Sequence, residues 1–242
     1  MRQLQTIGKI LLGLFILSTA VMAEDIYATF TVEADKSANL AFSSGGIVAS
    51  VEVDVNSAVK KGEILAQLQN DDLKAMLKVA ETSLKYAKRD YLRQQKVKKI
   101  IDEAQFDKYL FKYENAKAQL LYQQALLDKT ILKAPFDGVI FAKDVEAGDA
   151  VSAAAVRTVL KIQSPHKRKL LLEIDQKYWK ALKVGQKFTY RVDGDSKAYT
   201  GLLHKVYTYA DSGNRKIKAE VEAEDFLVGL FGDGYIHVPE VQ

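Results

Sequence analysis

The chain of 242 residues has no cysteine, only three histidines and a single tryptophan. Without cysteine it has no disulfide framework, no thiolate metal site and no thiol for a lipid anchor, so packing alone must hold the fold. The histidines, His166, His204 and His237, lie far apart with no ligand-like spacing. A zinc site needs several nitrogen or sulfur donors converging, so they read as surface or strand residues and no metal site is expected. Also missing are a G-x-S-x-G elbow, a phosphate-cradling glycine loop and a dinucleotide fingerprint. The sequence therefore offers no catalytic residue, no cofactor-binding residue and no cofactor, and the expectation is a protein that is not an enzyme. Charge of one sign is lacking too. From Glu24 onward 33 basic residues face 31 acidic ones, which argues against nucleic acid as a partner.

The first 23 residues differ from the rest. Arg2 and Lys9 precede an apolar run from Ile10 to Leu17, followed by small residues and Val21, Met22 and Ala23. This is the pattern of a secretory signal peptide cleaved after Ala23, which places the mature chain outside the cytoplasm. The competing reading is a retained anchor, but the apolar stretch from Ile10 to Ala23 falls short of the roughly 20 residues that cross a bilayer.

Three textures follow. From Ile26 to Asn70 apolar residues alternate with period two, as in Ile26, Ala28, Phe30 and Val32, in Val51, Val53 and Val55, and in Ile64, Ala66 and Leu68. From Asp71 to Asp128 glycine and proline vanish, and Ala, Leu, Lys, Gln and Glu, all strong helix formers, take over. After Lys129 alternation returns in LLLEID, KFTYRV and IKAEVEA, with turn signals at Asp193-Gly194, Ser212-Gly213-Asn214 and Gly232-Asp233-Gly234. The order is β, long α, β.

Within the helical stretch Leu73, Leu77, Ala80, Leu84, Ala87 and Tyr91 form a heptad seam, and Phe106, Tyr109, Tyr113, Ala116, Leu120, Gln123 and Leu127 form another. The pattern lapses in KVKKIIDEAQ, where Asp102 is placed to cap the second helix. The spacing predicts an antiparallel coiled-coil hairpin with its tip near Lys98 to Glu103, each arm about 40 Å long. One continuous helix in an intermolecular coiled coil, or a helical pair lying flat on the sheets, are the alternatives. Narrow seams disfavour the second.

The flanking β segments repeat each other. GGIVASVEVDVNSAV, starting at Gly45, overlays the stretch 92 residues later without a gap, so that Gly46 falls on Gly138, Ile47 on Val139, Val48 on Ile140, Val53 on Val145, Ala58 on Ala150 and Val59 on Val151. Chance similarity of alternating valines is the rival reading. If the copies are related, folding back of the hairpin brings them together as pseudo-symmetric halves of one β domain. Gly46 and Gly138 are then structural glycines, allowing a close approach or positive φ at the strand starts, and Asn56 and Gly148 take equivalent turn positions that tolerate the left-handed region.

These segments carry a family resemblance. GGIVASVEVDVNSAVKKGEILAQL, the heptad hairpin and KTILKAPFDGVIFAKDVEAGDAV, in that order, resemble the periplasmic adaptor proteins, or membrane fusion proteins, of Gram-negative tripartite efflux and secretion systems. The strings at Ala134 to Ile140 and Val59 to Gly62 are the sharpest matches, and LKVGQKFTY, Leu182 to Tyr190, resembles a segment of the family's barrel. The resemblance implies a mostly β, α+β protein in which a split lipoyl/biotinyl-like domain is interrupted by the hairpin and followed by a small β-barrel. The expected boundaries are 1–23 for the signal peptide, 24–37 for an N-terminal strand joining the barrel, 38–70 and 129–163 for the two lipoyl-like halves, 71–128 for the hairpin and 164–242 for the barrel. It also implies a homo-oligomeric ring that links an inner-membrane transporter to an outer-membrane channel, with the tip, Lys98, Lys99, Ile100, Ile101, Asp102 and Glu103, as the partner-binding segment. An exported coiled-coil scaffold that meets no transporter is the other class. A lipoate or biotin carrier is disfavoured, because the turn that would bear its lysine is replaced by the helical insert.

Departures matter as well. Adaptors that dock on a channel commonly carry Arg, Leu and Ser at fixed spacing around the tip, and the aligned positions here are Tyr91, Gln95 and Asp102. The basic residues of the first arm and the tip, Lys74, Lys78, Lys85, Lys88, Arg89, Arg93, Lys96, Lys98 and Lys99, mostly fall off the seam, forming either a solvated face or a match for an acidic surface. Met76 borders the seam and reads as packing rather than as a soft metal ligand.

Overall fold

A computed structural model describes residues 25–238. The expected signal peptide lies outside the described residues. Residues 32–170 and 222–230 form one compact unit, and the remaining described residues form another.

In the first unit two four-stranded sheets face each other. One has the order β2 (Ser37–Leu40), β9 (Leu160–Gln163), β7 (Gly138–Lys143), β4 (Ala58–Val59). The other runs β6 (Ile131–Lys133), β5 (Ile64–Leu68), β3 (Gly46–Val51), β8 (Ala150–Val151). Their inward residues make one core, in which Leu65, Ala66, Val48, Ile140, Leu160 and Ile162 are at most 1% exposed. Each large aliphatic side chain buried this way contributes about 1.5–3 kcal/mol.

The repeat read from the sequence is a real pseudo-two-fold. Gly46 and Ile47 of β3 pair with Val151 and Ala150 of β8, and the positions 92 residues away do the same, Val59 and Ala58 of β4 pairing with Gly138 and Val139 of β7. The copies thus exchange strands. Their turns match in detail: the Asn56 N–H donates to the Ile140 carbonyl and the Gly148 N–H to the Val48 carbonyl, both at 2.8 Å. Asn56 and Gly148 have φ of 70° and 97°, the left-handed region that Asn and Gly tolerate. The Asp54 N–H is closed by Ser57 Oγ and the Glu146 N–H by Asp149 Oδ2, at 2.9 and 3.0 Å. This turn is also why the alternation at Val51, Val53 and Val55 is not a strand: β3 ends at Val51, and Val55 is 46% exposed.

The two structural glycines do not play the same part. A Cβ on Gly138 would lie 2.6 Å from the Gln163 carbonyl and 2.7 Å from Ile162 Cγ1, so β9 passes too close for any side chain. A Cβ on Gly46 would meet Leu68 at an ordinary 3.5 Å, and neither glycine has positive φ. The expectation for Gly46 is therefore corrected. Its outer neighbour is set differently: Val48 pairs with Leu68, but Ile140 pairs with Ile162, two residues beyond the position equivalent to Leu68.

Between the sheets' two halves the chain forms α1 (Asp71–Lys96) and α2 (Glu103–Asp128), packed against each other as an antiparallel hairpin. Every residue of both predicted seams is buried or half-buried, Ala80, Phe106, Ala116 and Leu127 most fully.

Six strands, most of whose residues belong to the other unit, close into a barrel of order β1 (Ile26–Ala34), β10 (Lys167–Asp175), β13 (Lys216–Glu224), β12 (Tyr199–Asp211), β11 (Lys187–Val192), β14 (Phe231–Ile236). The alternation of Ile26, Ala28, Phe30 and Val32 points inward, each at most 2% exposed. Gly232-Asp233-Gly234, expected as a turn, lies instead inside β14. Both glycines face the barrel interior, where a Cβ on Gly232 would collide with the Arg191 carbonyl and the Phe30 ring, and one on Gly234 with the Thr189 carbonyl and Tyr190. The missing side chain of Gly232 makes room for Phe30 and that of Gly234 for Tyr190, and Phe30 meets Phe188 and Tyr190 edge to face at 6.0 and 5.3 Å.

Candidate functional site at the hairpin tip

The tip is built by two helix ends with opposite solutions to unpaired backbone groups. At the end of α1 the Val97 N–H turns back to the Gln94 and Gln95 carbonyls, and the Ile100 N–H donates to Val97 at 2.9 Å, so residues 97–100 tighten into a turn. At the start of α2 Asp102 is the N-cap: it has extended backbone, and its Oδ2 accepts the Gln105 N–H at 3.3 Å. Glu103 follows in the first turn, where a negative charge suits the positive end of the helix dipole.

Beneath the turn lies an aromatic cluster. Tyr91 of α1 stacks on Tyr113 of α2 at 5.2 Å with planes 7° apart, and meets Phe106 at 5.7 Å. Phe106 is 6% exposed and is capped by the Lys98 ammonium, 4.7 Å from its ring centroid. One of the six tip residues is therefore partly occupied in holding the end of the coiled coil. The position that aligns with the family's arginine is filled by a seam aromatic, and the one that aligns with its serine by the helix cap.

The two isoleucines separate. Ile100 is 83% exposed, whereas Ile101 is half-buried. Only Ile100 is fully presented, because the chain must turn inward at Ile101 to reach the cap. Lys99, Asp102 and Glu103 surround it as exposed charge. The tip thus presents one apolar side chain inside a charged rim, an arrangement suited to contact rather than to chemistry.

Below the tip, the basic residues of α1 are exposed and several pair within the helix: Lys74 with Asp71 at 3.4 Å, Lys78 with Glu81 at 3.3 Å and Arg93 with Asp90 at 2.9 Å. Exposed pairs of this kind stabilise by only about 0.3–0.5 kcal/mol. Sequence periodicity missed the outward apolar residues Val79, Phe111 and Leu121, 70%, 71% and 63% exposed. They lie off the seams, and their signal was a hydrophobic type at a position the heptad reserves for polar ones.

The histidines do not converge. His166 Nδ1 meets Asp225 at 2.9 Å, His237 bridges Asp25 and Thr189 at 2.9 and 2.8 Å, and His204 is exposed on β12. Among the described residues no three acidic or histidine side chains are gathered as a metal ion would require. No helix among them is long and apolar enough to cross a membrane.

Residues 36–162 match the model of the CzcB-like barrel-sandwich hybrid domain. Over 135 residues, 49% of the chain, the sequence is 29% identical to the cobalt-zinc-cadmium resistance protein CzcB of Cupriavidus metallidurans, and the match spans only 26% of that curated relative. Among solved structures the chain is similar to a MacA-MexA chimeric protein carrying the Pseudomonas aeruginosa MexA α-hairpin, with a TM-score of 0.82 at 19% identity over 91% of this chain and 84% of that one. It is also similar to the membrane fusion protein Spr0693 of Streptococcus pneumoniae R6, with a TM-score of 0.72 at 18% identity over 89% and 100% of the two chains. Its strand exchange, inserted hairpin and matched span agree, and the chain belongs to the CzcB-like barrel-sandwich hybrid family, with the fold of the membrane fusion proteins.

Proposed function

We propose that this chain is a non-catalytic periplasmic adaptor subunit of an efflux or secretion complex, joining an inner-membrane transporter to an outer-membrane channel as a homo-oligomeric ring. The observation that carries the reading is the hairpin: two 26-residue helices inserted between the halves of a well-packed sandwich, ending in an 83%-exposed isoleucine. Such an arm has a reach that its own fold does not need. Tip docking runs through Ile100 and its charged neighbours rather than through the Arg, Leu and Ser pattern. The name of the Cupriavidus relative makes a divalent-cation exporter the first transporter to test.

Mild cross-linking in cells followed by co-purification tests the assignment, with an inner-membrane transporter expected among the products. Recovery of the chain alone would favour the free-standing scaffold. Replacing residues 75–124 with a short Gly-rich linker should abolish export yet leave a cooperative β transition, because the hairpin closes its own ends and a linker does so at modest entropic cost. Loss of all β structure in that variant would contradict the inserted-arm reading.

A further inference from the structure

One hollow of the barrel has no role in the adaptor reading. It is an open trough of about 470 Å³ on the outer face of β1 and β14, within the size range of small-molecule sites. The strand register builds it. Tyr27, Thr29 and Thr31 alternate with the buried Ile26, Ala28 and Phe30, so they point away from the barrel core, and Phe231, Asp233 and Tyr235 alternate in the same way with Gly232, Gly234 and Ile236. The pairs Tyr27–Tyr235, Thr29–Asp233 and Thr31–Phe231 stand directly opposite one another across the two strands. All six side chains therefore share one face.

The trough has aromatic ends and acidic walls. Tyr27, set edge to face against Tyr235 at 5.6 Å, closes one end, and Phe231, 61% exposed, closes the other. The two ends lie four residues apart along β1, about 13 Å. Between them Thr29 and Asp233 form the floor, with Glu173 of β10, the neighbour of β1, on one side and Asp193, which follows β11, the neighbour of β14, on the other. Among the described residues no lysine, arginine or histidine lines the trough, although the barrel stretch from Gln176 to Lys218 carries eight lysines and two arginines against three aspartates. Arg191, opposite Asp233 in β11, lines the adjoining hollow instead.

Desolvation first, then the Asp233 carboxylate and its hydrogen bond to the phenol, push the Tyr27 hydroxyl above its usual value, and Tyr235 and Asp193 add to the effect, so the potential at that end is negative. Carboxylates beside aromatic rings select a cation that also has an apolar body, since the ring faces attract it as well as the charges. A metal ion is a poor match: the carboxylates stand on different sides of the trough, and among the described residues no three acidic or histidine side chains are gathered as a metal ion would require. We propose that this trough binds an elongated organic cation, with its ammonium groups against Glu173, Asp193 and Asp233 and an end over the Tyr27 or Phe231 ring. The site goes beyond the adaptor reading and needs no partner protein.

Isothermal titration of the purified protein with two probes tests this. Spermidine is a chain of hydrogen-bonding ammonium groups, and decamethonium is a chain ended by two quaternary ones. At least one should bind at a single site per chain, and at least about tenfold more tightly than tetramethylammonium, which cannot span the trough. Preference for spermidine would mark a polyamine-like ligand and preference for decamethonium a quaternary one, and either result supports the site. Replacing Glu173→Gln together with Asp193→Asn should lower the affinity at least about fivefold with an unchanged melting temperature. Tyr27→Leu should weaken decamethonium more than spermidine. Asp107→Asn with Glu114→Gln, on the hairpin, should leave both affinities unchanged.

Absence of binding by both probes overturns the proposal, whatever becomes of the variants. So does binding that the Glu173 and Asp193 replacements leave unchanged, which would place the cation elsewhere. Tetramethylammonium or Mg²⁺ binding as tightly as the long cations would reduce the trough to an unselective acidic patch and overturn it too. A lysine-rich peptide that binds where neither probe does would assign the trough to a basic protein segment instead. No transporter or channel is present in this assay, so its outcome is independent of the adaptor assignment.

Discussion

The sandwich and the hairpin bury their apolar residues in opposite ways. The sandwich gathers fourteen buried residues from both halves of the repeat into one core, eight of them at most 1% exposed. The two helices together, 52 residues long, bury only Ala80, Phe106, Ala116 and Leu127, and they leave Val79, Phe111 and Leu121 largely in water, as the turn between them leaves Ile100. A region that closes on itself is a scaffold. One held by a thin seam, with large apolar side chains outside it, has the exposed apolar surface that the proposed docking requires.

The largest stability effect should come from within the scaffold and should split the repeat. Gly138→Val forces a side chain into the Gln163 carbonyl and Ile162, and is expected to cost about 3 kcal/mol by overpacking. Gly46→Val meets only Leu68 at van der Waals distance and should cost under about 1 kcal/mol. Urea denaturation midpoints of the two variants check this. Equal shifts would mean that the outer strands approach the two glycines equally.

A smaller effect should be confined to the hairpin. Tyr91→Ala removes both aromatic contacts beneath the tip and is expected to cost about 1–2 kcal/mol. Helical ellipticity should melt earlier while the β transition stays in place. A common shift of both transitions would show that the two regions unfold as one.

The smallest effect concerns the symmetric turns. Lys143 is 17% exposed at its side chain and reaches across the pseudo-axis to both equivalent carboxylates, Asp54 at 3.6 Å and Glu146 at 2.8 Å. The Val55 N–H and the Lys143 charge hold the Asp54 carboxyl below its usual range, and the hydrogen bond to Glu146 raises Lys143. A lowered acid contributes stability above its unfolded pKa of about 3.9, and that contribution is lost as pH falls through the folded value. The melting-temperature difference between the wild type and Lys143→Met should therefore be constant near neutrality and shrink in acid. A difference that grows in acid would reverse the assigned sign.

Much of this architecture was legible in the chain. Period two changing to period 3.5 located both helices, since a heptad seam leaves few alternatives, and the ungapped overlay of Gly45 to Val59 on the later segment anticipated the strand exchange. Asn56 and Gly148 were readable because few residue types tolerate positive φ. Other features depended on neighbours distant in sequence. Gly46 and Gly138 look alike until β5 and β9 arrive two residues out of step. Gly232 and Gly234 resemble a turn, and only the rings of Phe30 and Tyr190 show that they make room inside a barrel. At the tip, two adjacent isoleucines carried no sign of which one the Asp102 cap would draw inward.

The central claim is that the tip, through Ile100, is where the adaptor meets its partner. Its most direct test is partner capture by Ile100→Asp and by Ile101→Asp, each with circular dichroism alongside. Ile100 is 83% exposed, so its replacement should abolish capture and export without changing helix content or melting temperature, whereas Ile101→Asp should lower the melting temperature of the hairpin. Undiminished capture by a folded Ile100→Asp variant would contradict the claim and move the docking surface away from the tip.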